Sequence, residues 1–221
     1  MSRSIFITGG TGYVGSRLIP LLVQRGHQVL ALTRESSQHK LPAACQPIIA
    51  DALNGETFAH ALEGADTFVH LVGVSHPSPS KTREFVDIDL KAATESIRVA
   101  RNAAIPHFVY LSVAHPAPVM KAYIDVRVRC EAAIAQAALN ASILRPWYVL
   151  GPGHFWPYAL VPFYKIAELL PGMREGATRL ALVTIHEMLA ALLFAIENPA
   201  AGRRVWQPKD IQRFRNDSMS L

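Results

Sequence analysis

Cysteine is nearly absent from this chain: Cys45 and Cys130 are the 2 copies among 221 residues. They lie far apart without CxxC spacing, so a disulfide-stapled architecture is excluded and both read as packing thiols in a reducing compartment. Charge is sparse as well. Asp, Glu, Lys and Arg make up 18% of the chain, and the net charge of +5 comes from scattered arginines with no run longer than Arg203-Arg204. That leaves no basic stripe to track a nucleic acid backbone, and no nucleic acid partner is expected. Long apolar runs are missing too: Met188 to Ile196 is about half of the roughly 20 residues needed to cross a bilayer. The apolar stretch from Trp147 to Leu170 is broken by Pro152, Pro157, Pro162, His154 and Lys165, so no transmembrane segment is expected. Ahead of Thr8 the only apolar run is Ile5-Phe6-Ile7, too short for a signal-peptide core, which points to a cytoplasmic protein. No metal site is expected.

What is present is apolar material for one sizeable core, since 50% of the residues are hydrophobic. This excludes a disordered regulator, and 13 Gly with 15 Pro exclude collagen-like and low-complexity chains. Ile5-Phe6-Ile7, a glycine-rich turn and a stripe of Val14, Leu18, Leu21 and Leu22 predict a strand, a tight turn and a helix kinked at Pro20. Strands follow over Gln28 to Leu32, Pro47 to Ile49, Thr67 to Val72, His107 to Leu111 and Ser142 to Leu144. Between them the pattern predicts helices over about Gly55 to Glu63, Lys81 to Asn102 and Lys121 to Leu139. The strand runs are nearly continuous in apolar residues, so they should be buried on both faces. The expected fold class is α/β, a doubly wound parallel sheet with helices on both faces. After Leu144, density in Pro, Gly and aromatics suggests a loop toward a small C-terminal cap. That cap should hold a helix near Pro157 to Leu170 and a strand near Arg179 to Val183, with a helix following near His186 to Glu197. Residues 1–150 then form a nucleotide-binding core, 151–208 the cap and final elements of the same domain, and 209–221 a polar, frayed tail.

The segment Thr8-Gly9-Gly10-Thr11-Gly12-Tyr13-Val14-Gly15 lies between the first predicted strand and helix and contains Gly10-x-Gly12-x-x-Gly15. One glycine permits the tight turn, the middle one lets backbone approach a pyrophosphate, and the last lets helix and strand pack closely. Exposed amides at the helix start then hold the anion. In this context the motif is a dinucleotide-binding fingerprint of the Rossmann type.

Together with Ala50-Asp51, Gly64-Ala65-Asp66, Phe108-Val109-Tyr110-Leu111-Ser112 and Leu144-Arg145-Pro146, this loop resembles the extended and atypical short-chain dehydrogenase/reductases. The NAD(P)-binding epimerase/dehydratase and NmrA-like members are the nearest. The resemblance runs from Ile5 to about Trp206. It implies that Gly9, Thr11, Gly12, Tyr13, Val14 and Gly15 form the cofactor loop, that Asp51 and Ala52 lie by the adenine, and that Leu71, Val72 and Gly73 line the nucleotide cleft. Read without the family, Asp51 is a loop carboxylate or helix cap. After the second strand, where an NAD enzyme carries an acid for the ribose 2′-hydroxyl, this chain has Arg34 followed by Ser36 and Ser37. A guanidinium fork with hydroxyls nearby suits a 2′-phosphate, so NADP(H) is the expected cofactor, with NAD(H) the alternative. Arg17 is a second candidate for the same phosphate, and a plain surface Arg is the competing account of Arg34.

The family's chemistry uses a Tyr, a Lys four residues later and a hydroxyl residue at the end of the fifth strand. Here the resemblance assigns these places to Tyr123, Arg127 and Ser112, with Arg replacing Lys. Tyrosine titrates near about 10, so it needs a cation to work near neutral pH, and Arg127 would supply one. Ser112 is followed by Val113 and Ala114, where the family often has a second hydroxyl; His115 is a substitute donor. The bland account of Tyr123 is a packed ring with a wet hydroxyl. His76 to Lys81 and His154 to Tyr164 would flank the cleft, and Arg145 would anchor the cap. The resulting expectation is an NADP(H)-dependent oxidoreductase acting on a small carbonyl or alcohol substrate. Its alternatives are a non-catalytic NADP(H)-binding sensor or assembly factor signalling to a protein partner, and an NAD-dependent sugar epimerase/dehydratase.

Overall fold

The computed structural model describes residues 2–75, 77–117, 119–153 and 179–215. Its first unit is β1 (Ser4–Thr8), the glycine loop and α1 (Gly15–Gln24), after which β2 (Gln28–Thr33) pairs parallel with β1. The remaining sheet strands are β3 (Gln46–Ile49), β4 (Thr67–His70), β5 (His107–Leu111) and β6 (Ala141–Leu144). Helix α2 (Thr82–Glu84), a π-helical turn (Phe85–Leu90) and α3 (Lys91–Asn102) join β4 to β5, and α4 (Lys121–Gln136) joins β5 to β6. Then come β7 (Val149–Leu150), β8 (Val183–Thr184), α5 (Ile185–Glu197), β9 (Arg203–Trp206) and α6 (Pro208–Gln212). The 7-stranded sheet has the order β3-β2-β1-β4-β5-β6-β9, and β7 pairs with β8 separately. Every pairing is parallel. The sheet is doubly wound, and its direction of winding reverses between β1 and β4.

Alternation along each strand divides the core between the two faces of the sheet. Ile5 and Ile7 of β1, Val69 of β4 and Val109 of β5 pack with Leu18 and Leu22 of α1 and with Met188 and Leu192 of α5. On the other face Phe6, Phe68, Phe108 and Tyr110 pack with Ile97 of α3 and with Cys130 and Ile134 of α4. The rings of Phe6, Phe68 and Phe108 form a chain with centroids 5.1 and 5.2 Å apart. Burying one such side chain stabilises the fold by roughly 1.5–3 kcal/mol, which explains why both faces are written in large apolar residues.

Several elements differ from the sequence expectation. Residues 55–63 form two 3₁₀ turns, Gly55–Thr57 and Ala59–Leu62, in place of one helix. Phe58, between them, takes φ −133° and sends its ring into the core, 5.7 Å from that of Phe6, so burial overrides helical continuation. Helix α1 continues through Pro20. The strand expected near Arg179 to Val183 is only Val183–Thr184. Strand β9 was not expected: its residues Arg203 to Val205 are exposed, as suits a polar edge strand. Residues 209–215, expected to fray, instead place Ile211 and Phe214 in the core. The helix expected over Pro157 to Leu170 lies outside the described residues. Among the described residues no helix is long and apolar enough to cross a membrane.

Candidate functional site

The carboxyl ends of β1, β2, β3, β4 and β5 form the rim that carries the glycine loop, Arg34, Asp51, residues 71–73 and Ser112, because parallel strands deliver all their following loops to the same edge. The glycine loop is built around three different constraints. Gly9 has φ +80°, and a Cβ there would lie 2.6 Å from Leu71 C and 2.9 Å from Val72 N, so loop and post-β4 backbone touch. A Cβ on Gly15 would collide with the Gly9 carbonyl oxygen and sit 2.8 Å from Gly10 Cα, so α1 can start only at a glycine. Gly12 is different: its Cβ would meet only Gly9 O, at 3.2 Å. Packing within the protein hardly requires that glycine; a ligand approaching the backbone would. The first turn of α1 contains no acidic residue and no side-chain cap, leaving its positive end available to an anion. These features fit a dinucleotide pyrophosphate at the loop of residues 9–15.

Around this cradle the structure brings Leu71 and Val72 directly beside the loop, with Leu71 N donating to Thr8 O at 3.0 Å, while Gly73 faces Arg127 and Asp89. Arg34 follows β2, is exposed, and makes no ion pair among the described residues; Glu35 begins the 3₁₀ turn Glu35–Lys40 that carries Ser36 and Ser37. Arg17 is already engaged, donating to Tyr13 O at 2.8 Å with its guanidinium 4.1 Å from the Tyr13 ring centroid. Asp51 accepts from Leu53 N at 2.9 Å, a local turn bond, and Ala52 beside it is half-buried.

The Tyr-x-x-x-Arg pair lies on one face of α4, as its spacing implies, but the two side chains meet in an unexpected way. Arg127 is 4% exposed and points inward. It donates through Nη2 to Asp89 Oδ2 at 3.1 Å, and through Nη1 to Leu111 O at 3.1 Å and Tyr110 Oη at 3.2 Å. Its guanidinium stands 5.0 Å over the Tyr123 ring, a cation–π contact with the ring face. The half-buried Tyr123 also packs on Phe85, centroids 5.1 Å apart. Burial pushes the Asp89 carboxyl above its ordinary range, with Arg127 pulling against it. Burial also lifts the Tyr110 phenol well above the tyrosine range.

Ser112 is 3% exposed, and its hydroxyl donates to Glu131 Oε1 at 2.5 Å. Arg145 binds the same carboxylate in bidentate fashion through Nε and Nη2. Arg145 is thereby tied to α4, while most of the cap that it was expected to anchor, residues 154–178, lies outside the described residues. His115 Nε2 lies 3.6 Å from Glu131 Oε1, and burial holds its imidazole below the usual histidine range. The only hydroxyl hydrogen of Ser112 is thus directed into this cluster. Lys81 donates to Ser75 O at 2.7 Å. His76 and residues 154–164 lie outside the described residues. Among the described residues no group of His, Cys, Asp and Glu could hold a metal ion.

Asp89, Glu131 and Tyr110 were not among the sequence candidates. The signal for the first two was a carboxylate on an apolar stripe: Asp89 precedes the buried Ala92, Ala93 and Ser96, and Glu131 lies between the buried Arg127 and Ile134.

Sheet order, glycine loop and open helix terminus together define a Rossmann-type dinucleotide-binding protein. The chain belongs to the NAD(P)H-binding family, whose profile matches residues 9–153, and its relatives are short-chain dehydrogenase/reductases. It is 24% identical over 201 residues to the ceramide reductase of Caulobacter vibrioides, covering 90% of this chain and 62% of that protein. It is 27% identical over 112 residues to the 3-beta-hydroxysteroid dehydrogenase of Mycolicibacterium neoaurum, covering 48% of this chain and 31% of that protein. The chain thus matches between about a third and three-fifths of the length of these curated relatives. Among solved structures it resembles the Bordetella bronchiseptica enzyme WbmH in complex with NAD+, with a TM-score of 0.71 and 18% identity, covering 100% of this chain and 83% of that one.

Proposed function

We propose that this protein is an NADP(H)-preferring oxidoreductase that moves hydride between the nicotinamide and a small carbonyl or alcohol substrate. The observation that carries the cofactor preference is Arg34, an exposed guanidinium without an ion-pair partner among the described residues, standing where the second strand delivers the adenosine ribose. Ser36 and Ser37 add hydroxyl donors beside it. Glu35 is the residue through which NAD(H) would be accepted instead. When bound, the nicotinamide supplies the hydride chemistry. The glycine loop and the start of α1 hold the pyrophosphate, residues 71–73 wall the cleft, and Tyr123 serves as the proton donor or acceptor at its hydroxyl. The reductase names of its relatives support this class of reaction, and the cytoplasm is the proposed compartment.

A second reading, a cofactor-binding sensor without turnover that acts on a protein partner, is favoured by one observation: the hydroxyl hydrogen of Ser112 is committed to Glu131. A substrate oxygen near Tyr123 would then lack its second donor. The discriminating experiment is a titration with NADPH and NADH followed by a turnover screen on aldehydes, ketones and quinones. Tight NADPH binding with turnover supports the oxidoreductase; tight binding with no turnover on any class supports the sensor.

A further inference from the structure

Arg127 occupies the place of a cation that should serve Tyr123, yet its hydrogen bonds run elsewhere. Its Nη2 meets Asp89, and its Nη1 meets the last carbonyl of β5. Directly above it lies the cleft wall: a Cβ on Gly73 would stand only 2.5 Å from Arg127 Nη2. The other oxygen of Asp89, Oδ1, accepts from Val74 N at 2.7 Å. One buried carboxylate, on a π-helical turn, therefore ties the backbone after β4 to a guanidinium that is itself tied to β5. Asp89 is fully buried, so neither bond competes with water.

We propose that Asp89 and Arg127 are a positioning pair that sets the path of residues 73–74, and through it the seat of the nicotinamide half of the dinucleotide, with Arg127 not serving as cationic partner to the Tyr123 hydroxyl. The proposal rests on the nucleotide-cleft reading above. A dinucleotide anchored at Arg34 beyond β2 crosses the winding reversal between β1 and β4, so its other half lies over β4 and β5, where this pair sits. Lysine cannot reproduce the arrangement, because an ammonium lacks the planar fork that reaches Asp89 and Leu111 O from two different nitrogens.

The test compares two probes on folded protein: NADPH, and 2′-phospho-ADP-ribose, which lacks nicotinamide. The variants are Arg127→Lys, Gly73→Ala and the double replacement of Asp89→Asn with Arg127→Met, which leaves no unpaired buried charge. Tyr123→Phe is the comparison. Expected are a rise of at least tenfold in the Kd for NADPH in all three variants, nearly unchanged affinity for 2′-phospho-ADP-ribose, and faster amide exchange at Val74 in the double variant. Tyr123→Phe should bind both probes as wild type does. An Arg127→Lys protein that binds NADPH normally overturns the proposal, and faster turnover in it would restore Arg127 as the partner of Tyr123. Equal weakening of both probes in step with a lowered Tm would reduce the pair to a core ion pair. Failure of folded wild type to bind either probe overturns the cleft reading, and this proposal with it.

Discussion

Replacing glycines of the loop one at a time should separate what the fold needs from what the ligand needs. At Gly9, alanine must adopt φ +80° and also push its Cβ against Leu71 and Val72 backbone. A non-glycine residue in such a conformation costs about 1–3 kcal/mol, equivalent to a Tm drop of roughly 2–12 °C at about 2–4 °C per kcal/mol for a chain of this size. At Gly12 the backbone is not left-handed and the only contact is Gly9 O at 3.2 Å, which yields with a small shift. Gly12→Ala should therefore melt within a few degrees of wild type. Its methyl group, however, would stand where phosphate oxygens meet the loop amides. Loss of one charge-assisted hydrogen bond worth about 1.5–3 kcal/mol predicts affinity weaker by roughly 10- to 150-fold, and Gly12→Val should weaken it further. Calorimetric titration with NADPH alongside thermal melts reads both quantities. A Gly12→Val protein that is fully folded and binds like wild type would refute the assignment of this loop to the pyrophosphate.

Arg34→Ala should erase most of the preference for NADPH over NADH, by about 10-fold or more from the same charged-bond magnitude, and raising the salt should shrink that preference in wild type; a variant that keeps it would clear Arg34 of the role. Tyr123→Phe should lower single-turnover hydride transfer by about 10² to 10⁴ while leaving cofactor affinity intact, the usual contribution of a placed acid or base; unchanged rates would favour the sensor. Removing one partner of the Glu131–Arg145 pair, as in Arg145→Met, should destabilise the protein by about 3–5 kcal/mol, because a carboxylate is left buried against Ser112; chemical denaturation measures it, and a loss under about 1 kcal/mol would contradict the buried-pair argument. Burial holds the fully buried His70 neutral, with its pKa down at about 3, so it stays unprotonated in the fold while the unfolded chain takes up a proton near the ordinary histidine value of 6.5. Stability is then complete above pH 6.5 and falls as the pH drops toward 3, by up to about 1.4 kcal/mol per pH unit for one histidine. His107, down at about 4 through burial, adds to the slope. His70→Gln should flatten that acid limb of the denaturation midpoints, and an unaltered slope would contradict it.

The parallel sheet was legible because β1, β4, β5 and β6 are buried on both faces and so carry apolar residues almost without interruption. The glycine loop was legible because its spacing records steric demands that Gly9 and Gly15 do impose. Strand β9 was not, since an edge strand ending at Trp206 has little burial to pattern it. Residues 55–63 misled because the aromatic core claims Phe58, a long-range demand that local propensity does not carry. The site was legible as a set of positions and less so as a set of contacts. Four-residue spacing placed Tyr123 and Arg127 on one helix face, but the inward turn of Arg127 depends on Asp89, which is 38 residues away in the chain. Ser112 likewise finds Glu131 at a separation of 19 residues. Such pairings exist only once the fold has brought α4 against the π-helical turn and the end of β5.

Equilibrium titration of the purified chain with NADPH and with NADH measures, without a known substrate, whether the wild-type protein holds the dinucleotide at all. Saturable binding of one dinucleotide per chain is predicted, tighter for NADPH, with the difference narrowing at high salt. Absence of saturable binding by either nucleotide to the folded protein would contradict it.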